Sequence, residues 1–169
     1  MRLNLNLRED KGWTYGARAY FSGATETEPA AYIATAGVLA TASDSSVVEF
    51  MKEITDYAKT GITEEELTFM RNAVGQRDTR SYETPGQKAG FLRQILTYDL
   101  DRSFVDEQAE IVQNITAEEL NQLAKKYLQY NKMNILLVGD TASIKPKLEK
   151  LGYEIVEINE KGEPKVIKP

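Results

Sequence analysis

The chain has 169 residues, 41% of them hydrophobic and 28% charged, which suits one domain with a buried core. Twenty-one basic residues stand against 26 acidic ones, a net charge of −5 with no Lys/Arg-rich cluster, which argues against a nucleic-acid partner. Cysteine and histidine are both absent, so the chain by itself has no disulfide, no thiolate or imidazole metal site, no cysteine nucleophile and no serine–histidine triad. The carboxylates leave a calcium or magnesium site open, but no Asp-x-Asp-x-Asp-Gly loop appears. No run of about 18 apolar residues offers a membrane span, and Met1-Arg2-Leu3-Asn4 lacks the apolar stretch of a signal peptide.

The first ten residues read two ways. Leu3, Leu5 and Leu7 alternate with Asn4 and Asn6, the period of a strand. Lys11-Gly12, however, has the form of a helix exit, a cation in the last turn followed by a glycine free to turn left-handed. Trp13 to Phe21 is a strand, with Trp13, Tyr15, Ala17, Ala19 and Phe21 on one face and Thr14, Gly16, Arg18 and Tyr20 on the other. A polar connection over 22–29 leads to a second strand, Ala30 to Leu39, and its shortness favours an antiparallel pair.

Helices then dominate. Asp44 or Ser45 caps a helix with the apolar stripe Val47, Met51, Ile54 and Ala58, ending near Gly61. Thr63 and Glu66 form a capping box, with Ile62 and Leu67 as the hydrophobic staple, and the same signature recurs at Thr116 and Glu119. Thr84-Pro85 opens a helix carrying Ala89, Phe91, Leu92, Ile95 and Leu96. A further helix spans Phe104 to Ile115, with Ile111, Val112 and Ile115 expected inward. Met133 to Val138 is a short apolar strand turned by Gly139-Asp140. A small helix with Ile144, Leu148 and Leu151 follows, then a strand over Tyr153 to Ile158 and a loose or edge-like tail over 159–169.

Two strands, a run of helices and two returning strands predict an α+β fold: a two-layer sandwich of a mostly antiparallel sheet with helices on one face. Four strands are few for so many helices, so the chain is expected to start partway through its domain, with one or two strands upstream.

The segment that carries chemistry is Leu7-Arg8-Glu9-Asp10-Lys11-Gly12-Trp13-Thr14-Tyr15-Gly16-Ala17. With a helix ending at Gly12 and a strand starting at Trp13, the turn is expected to bring Arg8 and Tyr15 near one edge. There a guanidinium and a phenol can donate hydrogen bonds to a peptide carbonyl, or to the oxyanion formed when it is attacked. The plain readings run beside this one. Tyr15 shares a face with Trp13 and Phe21 and reads as a core tyrosine, Arg8 reads as a solvated helix residue, and Trp13 as a core or cleft-wall aromatic. Arg18 and Tyr20 repeat the theme on the other face, where surface or packing roles suffice. Glu64, Glu65 and Glu66 serve the helix dipole rather than a metal, as do Glu118 and Glu119. Arg71, Arg77 and Arg80 beside Asp78 read as a solvated face or an interface, and Pro85-Gly86 as a helix start rather than a hinge.

Leu-Arg-Glu-Asp-Lys-Gly-x-x-Tyr resembles the arginine–tyrosine segment in the C-terminal, non-zinc-binding part of pitrilysin/insulinase-type zinc metallopeptidases, especially the bacterial branch. Gly61-Ile-Thr-Glu-Glu-Glu-Leu67, Tyr82-Glu-Thr-Pro-Gly-Gln-Lys88, Asn114-Ile-Thr-Ala-Glu-Glu-Leu120 and Ile135-Leu-Leu-Val-Gly-Asp140 resemble the family in the family's own order, so the likeness covers residues 1–158 as one partial domain. It implies a clamshell. One half carries zinc on an inverted His-x-x-Glu-His motif, and the other closes over the peptide substrate. In that closing half, Arg8 is expected to anchor the substrate backbone and Tyr15 to stabilise the tetrahedral intermediate. The chain departs from the full pattern in lacking histidine, so it is expected to hold no cofactor itself. Zinc would then lie in a complementary half, in the same polypeptide or a partner subunit, and the isolated chain would be inactive. A periplasmic or cell-envelope setting is implied in the same way. The alternative is a non-catalytic structural or partner-binding subunit of the same fold.

Overall fold

Helix comes first, the second of the two readings of the opening residues. A computed structural model describes residues 2–22, 30–80, 83–101 and 103–165, without the side chains of 76–80. Most of the 22–29 connection, Tyr82, the end of the tail, and the side chains of Arg77, Asp78 and Arg80 therefore lie outside the described residues. The first element, α1 (Arg2–Asn4), runs on as a π-helix over Leu5–Asp10. The antiparallel strands β1 (Thr14–Ser22) and β2 (Ala31–Val38) follow. Then come α2 (Ser43–Thr60), α3 (Glu64–Arg80), α4 (Pro85–Tyr98), α5 (Ser103–Asn114), α6 (Ala117–Tyr127) and α7 (Thr141–Leu148). The result is α+β, mostly helical, with a two-stranded antiparallel sheet among the described residues. None of the described helices is long and apolar enough to cross a membrane.

The chain divides into two units, Met1–Thr55 with Tyr130–Pro169, and Asp56–Gln129. In the first, the helix wins over the alternating pattern because Leu3 and Leu7, four residues apart, fall on one face and are buried, while Leu5 is exposed. They form a cluster with Ala17 of β1, against which Trp13, Ala34, Ala36 and Phe50 pack. One face of the hairpin is thus covered by the first helix and by Phe50 of α2. On α2, Val47 and Ile54 are buried as its stripe requires, but the helix begins at Ser43, ahead of both expected caps. A 3₁₀ turn over Ala40–Ala42 leads into it, and the Ser43 hydroxyl donates to the Ala40 carbonyl.

The two returning strands do not form. Residues 133–138 join no strand ladder among the described residues, and Leu136 and Val138 stand exposed, Val138 at 92%. Over 153–158 the described residues form only an isolated bridge, Ile158 with Pro164. An apolar run states a demand for burial, and strand structure needs a partner whose backbone completes the ladder. The 153–158 segment is held at Glu157: its carbonyl accepts from the Lys165 amide at 2.7 Å, Lys145 of α7 donates to its carboxylate at 2.7 Å, and the Lys165 ammonium lies 3.9 Å from the same carboxylate.

That pair gives a pH test. The Lys145 hydrogen bond and charge hold Glu157 below its ordinary 4.5, and Glu157 raises Lys145 above its ordinary 10.5. A lowered carboxylate contributes stability above its unfolded value and loses it as pH falls through the folded one. A raised amine contributes below its unfolded value and loses it as pH rises through the folded one. Glu157→Gln should therefore melt below the wild type at neutral pH, with the two converging as pH falls below 4.5. Thermal melts from neutral to acid pH check it, and a gap that persists unchanged in acid contradicts it.

In the second unit, the capping boxes read at Thr63 and Thr116 are present, and a third, not read from the sequence, stands at Thr84. The Thr63 hydroxyl accepts from the Glu66 amide while Glu66 accepts from the Thr63 amide, and Thr84 with Gln87 and Thr116 with Glu119 repeat the exchange. Ala58, Leu67, Ala124 and Leu128 are buried. Ile111, expected inward, is exposed, whereas Val112 and Ile115 are half-buried. Arg71 is not a solvated residue: its guanidinium donates to the carbonyls of Val112 and Ile115 at the C-terminal end of α5. Those carbonyls are among the orphans every helix leaves, and a cation there also meets the negative end of the dipole.

Candidate functional site

The proposed chemistry sits where the first helix hands over to β1. Over Leu5–Asp10 the helix is widened by one residue, and the Lys11 amide reaches back five positions to the Asn6 carbonyl at 3.1 Å. Such π turns are uncommon and recur at functional sites. The exit is tight: Gly12 donates to the Arg8 carbonyl, Trp13 donates to the Leu7 carbonyl, and Gly12 has φ of +62°. A side chain rarely accepts that dihedral, which accounts for glycine here.

Two side chains tie this turn to α2. The Asn6 amide donates to Glu49 at 2.7 Å and to Glu53 at 2.8 Å. The Lys11 ammonium lies between Asp10 (3.2 Å) and Glu49 (3.7 Å), 5.7 Å from the centre of the Trp13 ring. With both carboxylates as acceptors, the orientation of the Asn6 amide follows from its partners. Its own oxygen is buried without a partner among the described residues.

Arg8 projects from the π turn into solvent, and its ion pair among the described residues is with Glu9 at 3.4 Å. An exposed pair of this kind holds the guanidinium weakly, so it is available to a ligand. Tyr15 is 100% exposed and has no partner among the described residues. The alternation that put Tyr15 on the face of Trp13, Ala17 and Phe21, and so made it a core tyrosine, fails here. Thr14 pairs with Val38 but Ala17 pairs with Ala36, so β1 advances three residues while β2 advances two. The extra residue is a β-bulge, which breaks the two-residue period and re-aims the side chains around it. Arg8 and Tyr15 thus stand on either side of the exit turn, both toward water, with no hydrogen bond between them. Trp13 packs against the core, while Arg18 and Tyr20 are exposed strand residues.

The residues that build this corner were not singled out from the sequence. The Asn4 side chain donates to the Ala17 carbonyl at 2.8 Å and accepts from the Ala17 amide at 2.7 Å. The Thr14 hydroxyl donates to the Gly37 carbonyl at 2.7 Å and accepts from the Gly16 amide at 3.1 Å. The available signal was Asn at positions 4 and 6, since asparagine inside a helix often has backbone business elsewhere. In the second unit, a shallow depression of about 570 Å³ is lined by Ile111, Ile115, Glu119, Leu123 and Lys126, among others. Its one carboxylate, Glu119, is taken up by the Thr116 cap, which lowers its pKa.

No family model matches the chain, and neither does any curated protein. Among solved structures it is similar to the peptidase M16 inactive domain from Pseudomonas fluorescens, with a TM-score of 0.67 and 22% identity. The similarity covers 78% of this chain and 31% of that one, so the match spans less than a third of the other's length. The α+β fold is accordingly that of the M16 inactive domain.

Proposed function

We propose that this chain is the closing, non-zinc-binding part of a pitrilysin/insulinase-type (M16) peptidase, and that Arg8 and Tyr15 are its contribution to the peptide-binding site. The supporting observation is the exposed phenol of Tyr15, held on a bulge one short turn after the exposed guanidinium of Arg8. The likeness to an M16 inactive domain points the same way. In this reading Arg8 donates to a backbone carbonyl of an oligopeptide or unfolded segment, which fixes its register. Tyr15 donates to the carbonyl oxygen on which negative charge develops, where a donor is most useful.

The residues of this chain do not fit zinc. It has neither histidine nor cysteine, and among the described residues no group of three or more acidic side chains could hold a metal ion. Zinc, on this proposal, belongs to a complementary half, and the cell-envelope setting belongs to the same proposal. The test is reconstitution. The chain alone, with added zinc, should not cleave a fluorogenic oligopeptide; together with a half bearing His-x-x-Glu-His it should. Cleavage by the chain alone would overturn the proposal.

A second reading is a structural subunit of the same fold, favoured by the word "inactive" in the name of the similar domain. It predicts that an assembled peptidase is indifferent to both side chains.

A further inference from the structure

The carboxamide of Asn4 carries the same donor and acceptor as a peptide group, and it uses both on one residue, Ala17. In an antiparallel ladder the N–H and C=O of a residue point to the same side. With Asn4 holding both, Ala17 turns them away from β2, and its pairing with Ala36 is of the non-hydrogen-bonded kind. Asn4 therefore stands where the next strand of a sheet would stand, for one residue only. It does so from the first helix, one turn before Arg8 and two strand residues beyond Tyr15.

The flanks of Tyr15 are fixed on both sides. Thr14 is tied to Gly16 and across to Gly37, and Ala17 is tied to Asn4. Gly16 lies against the same carboxamide: a Cβ there would meet Asn4 Oδ1 at 3.7 Å. Within the bulge Tyr15 is left as the residue whose side chain stands free. We infer that Asn4 is a positioning residue, a side-chain clamp joining the helix of Arg8 to the strand of Tyr15 and so setting the spacing at which the two donors meet a peptide carbonyl. This rests on the peptidase reading above.

Amide exchange on the 169-residue chain, followed by NMR, tests the clamp without any catalysis. The Ala17 amide should be protected in the wild type and should exchange roughly tenfold faster or more in Asn4→Ala, since two hydrogen bonds are lost. Amides of β1 that pair with β2 should keep their protection. Asn4→Asp retains the acceptor for the Ala17 amide and loses the donor, so it should fall between the two, and it serves if Asn4→Ala does not fold. An Ala17 amide unprotected in the wild type overturns the inference and leaves the peptidase reading standing. In the peptidase assembled with its zinc-binding half, Asn4→Ala should lower kcat about tenfold while adding little to Tyr15→Phe, because both act through one group. Losses that simply multiply would make Asn4 a residue of stability alone and overturn its positioning role. A Tyr15→Phe enzyme as fast as the wild type would instead overturn the peptidase reading, and this inference with it.

Discussion

On the peptidase proposal, Tyr15→Phe in the assembled enzyme is expected to lower kcat by about 10²–10³, the usual cost of removing one donor to a developing oxyanion. The zinc content of the complementary half should not change. The melting temperature of the chain should not change either, because the phenol is wholly exposed and bonds to nothing among the described residues. Substitutions at such positions usually stay within about 0.5 kcal/mol of the wild type. That separation makes the result readable: a fall in turnover without a fall in stability can only come from the site. Arg8→Ala should act differently, raising KM more than it lowers kcat, because an anchor for the peptide backbone holds substrate and transition state alike. Steady-state kinetics of the two variants decide between the readings. Wild-type turnover in both would assign the chain a structural role.

The second large effect is on stability. Gly61 follows α2 with φ of +76°, and an added Cβ would lie 2.0 Å from Cγ and Oδ1 of Asn121. Asn121 cannot move freely. Its oxygen accepts from the Ile62 amide at 2.7 Å and its nitrogen reaches the Ile62 carbonyl at 3.5 Å. Gly61→Ala thus meets two costs. The left-handed dihedral disfavours alanine by about 1–2 kcal/mol. Displacing Asn121 leaves the Ile62 amide without its partner, for about 1–3 kcal/mol more. A loss of roughly 2–5 kcal/mol should lower Tm by about 4–20 °C in a chain of this size. The double variant Gly61→Ala with Asn121→Ala should fall short of the sum of the singles, since both damage one contact. A Gly61→Ala chain melting within a degree of the wild type would mean that the contact is not there in solution.

Helix starts were the most legible part of the fold, because their signal is local. Thr63 and Thr116 each declare an N-cap three residues ahead of the side chain that answers it, and Thr84-Pro85 marks a helix start. The exit at Lys11-Gly12 is local too, but against the alternating leucines it left the first ten residues open, and the family resemblance was the main reason to favour a helix over Arg2 to Asp10. What failed depended on groups far apart in the chain. The run from Met133 to Val138 is as apolar as a buried strand, but apolarity does not say which backbone will pair with it. Ile111 sits on the expected face of α5 and is exposed all the same, since a face is buried only by a neighbour. Arg71 looked like any surface arginine, because its partners are carbonyls about forty positions further on.

At the candidate site the two side chains were chosen from the sequence, and their setting was not legible there. Arg8 and Tyr15 came from a motif, while the extra residue of β1 came from Thr14, Gly16 and Asn4 bonding to backbone groups that no alternation rule includes. Without that bulge the tyrosine would have pointed inward, as the strict two-residue period required.

The π turn at Leu5–Asp10 bears on how such chains diverge. It amounts to one residue inserted into a helix of ordinary pitch, and each residue of an α-helix carries its side chain about 100° around the axis. A relative that had lost that single position would keep every leucine of the segment and still swing its arginine to another bearing. Two descendants could then look nearly identical letter by letter, one armed and the other not, separated by a gap of one in an alignment.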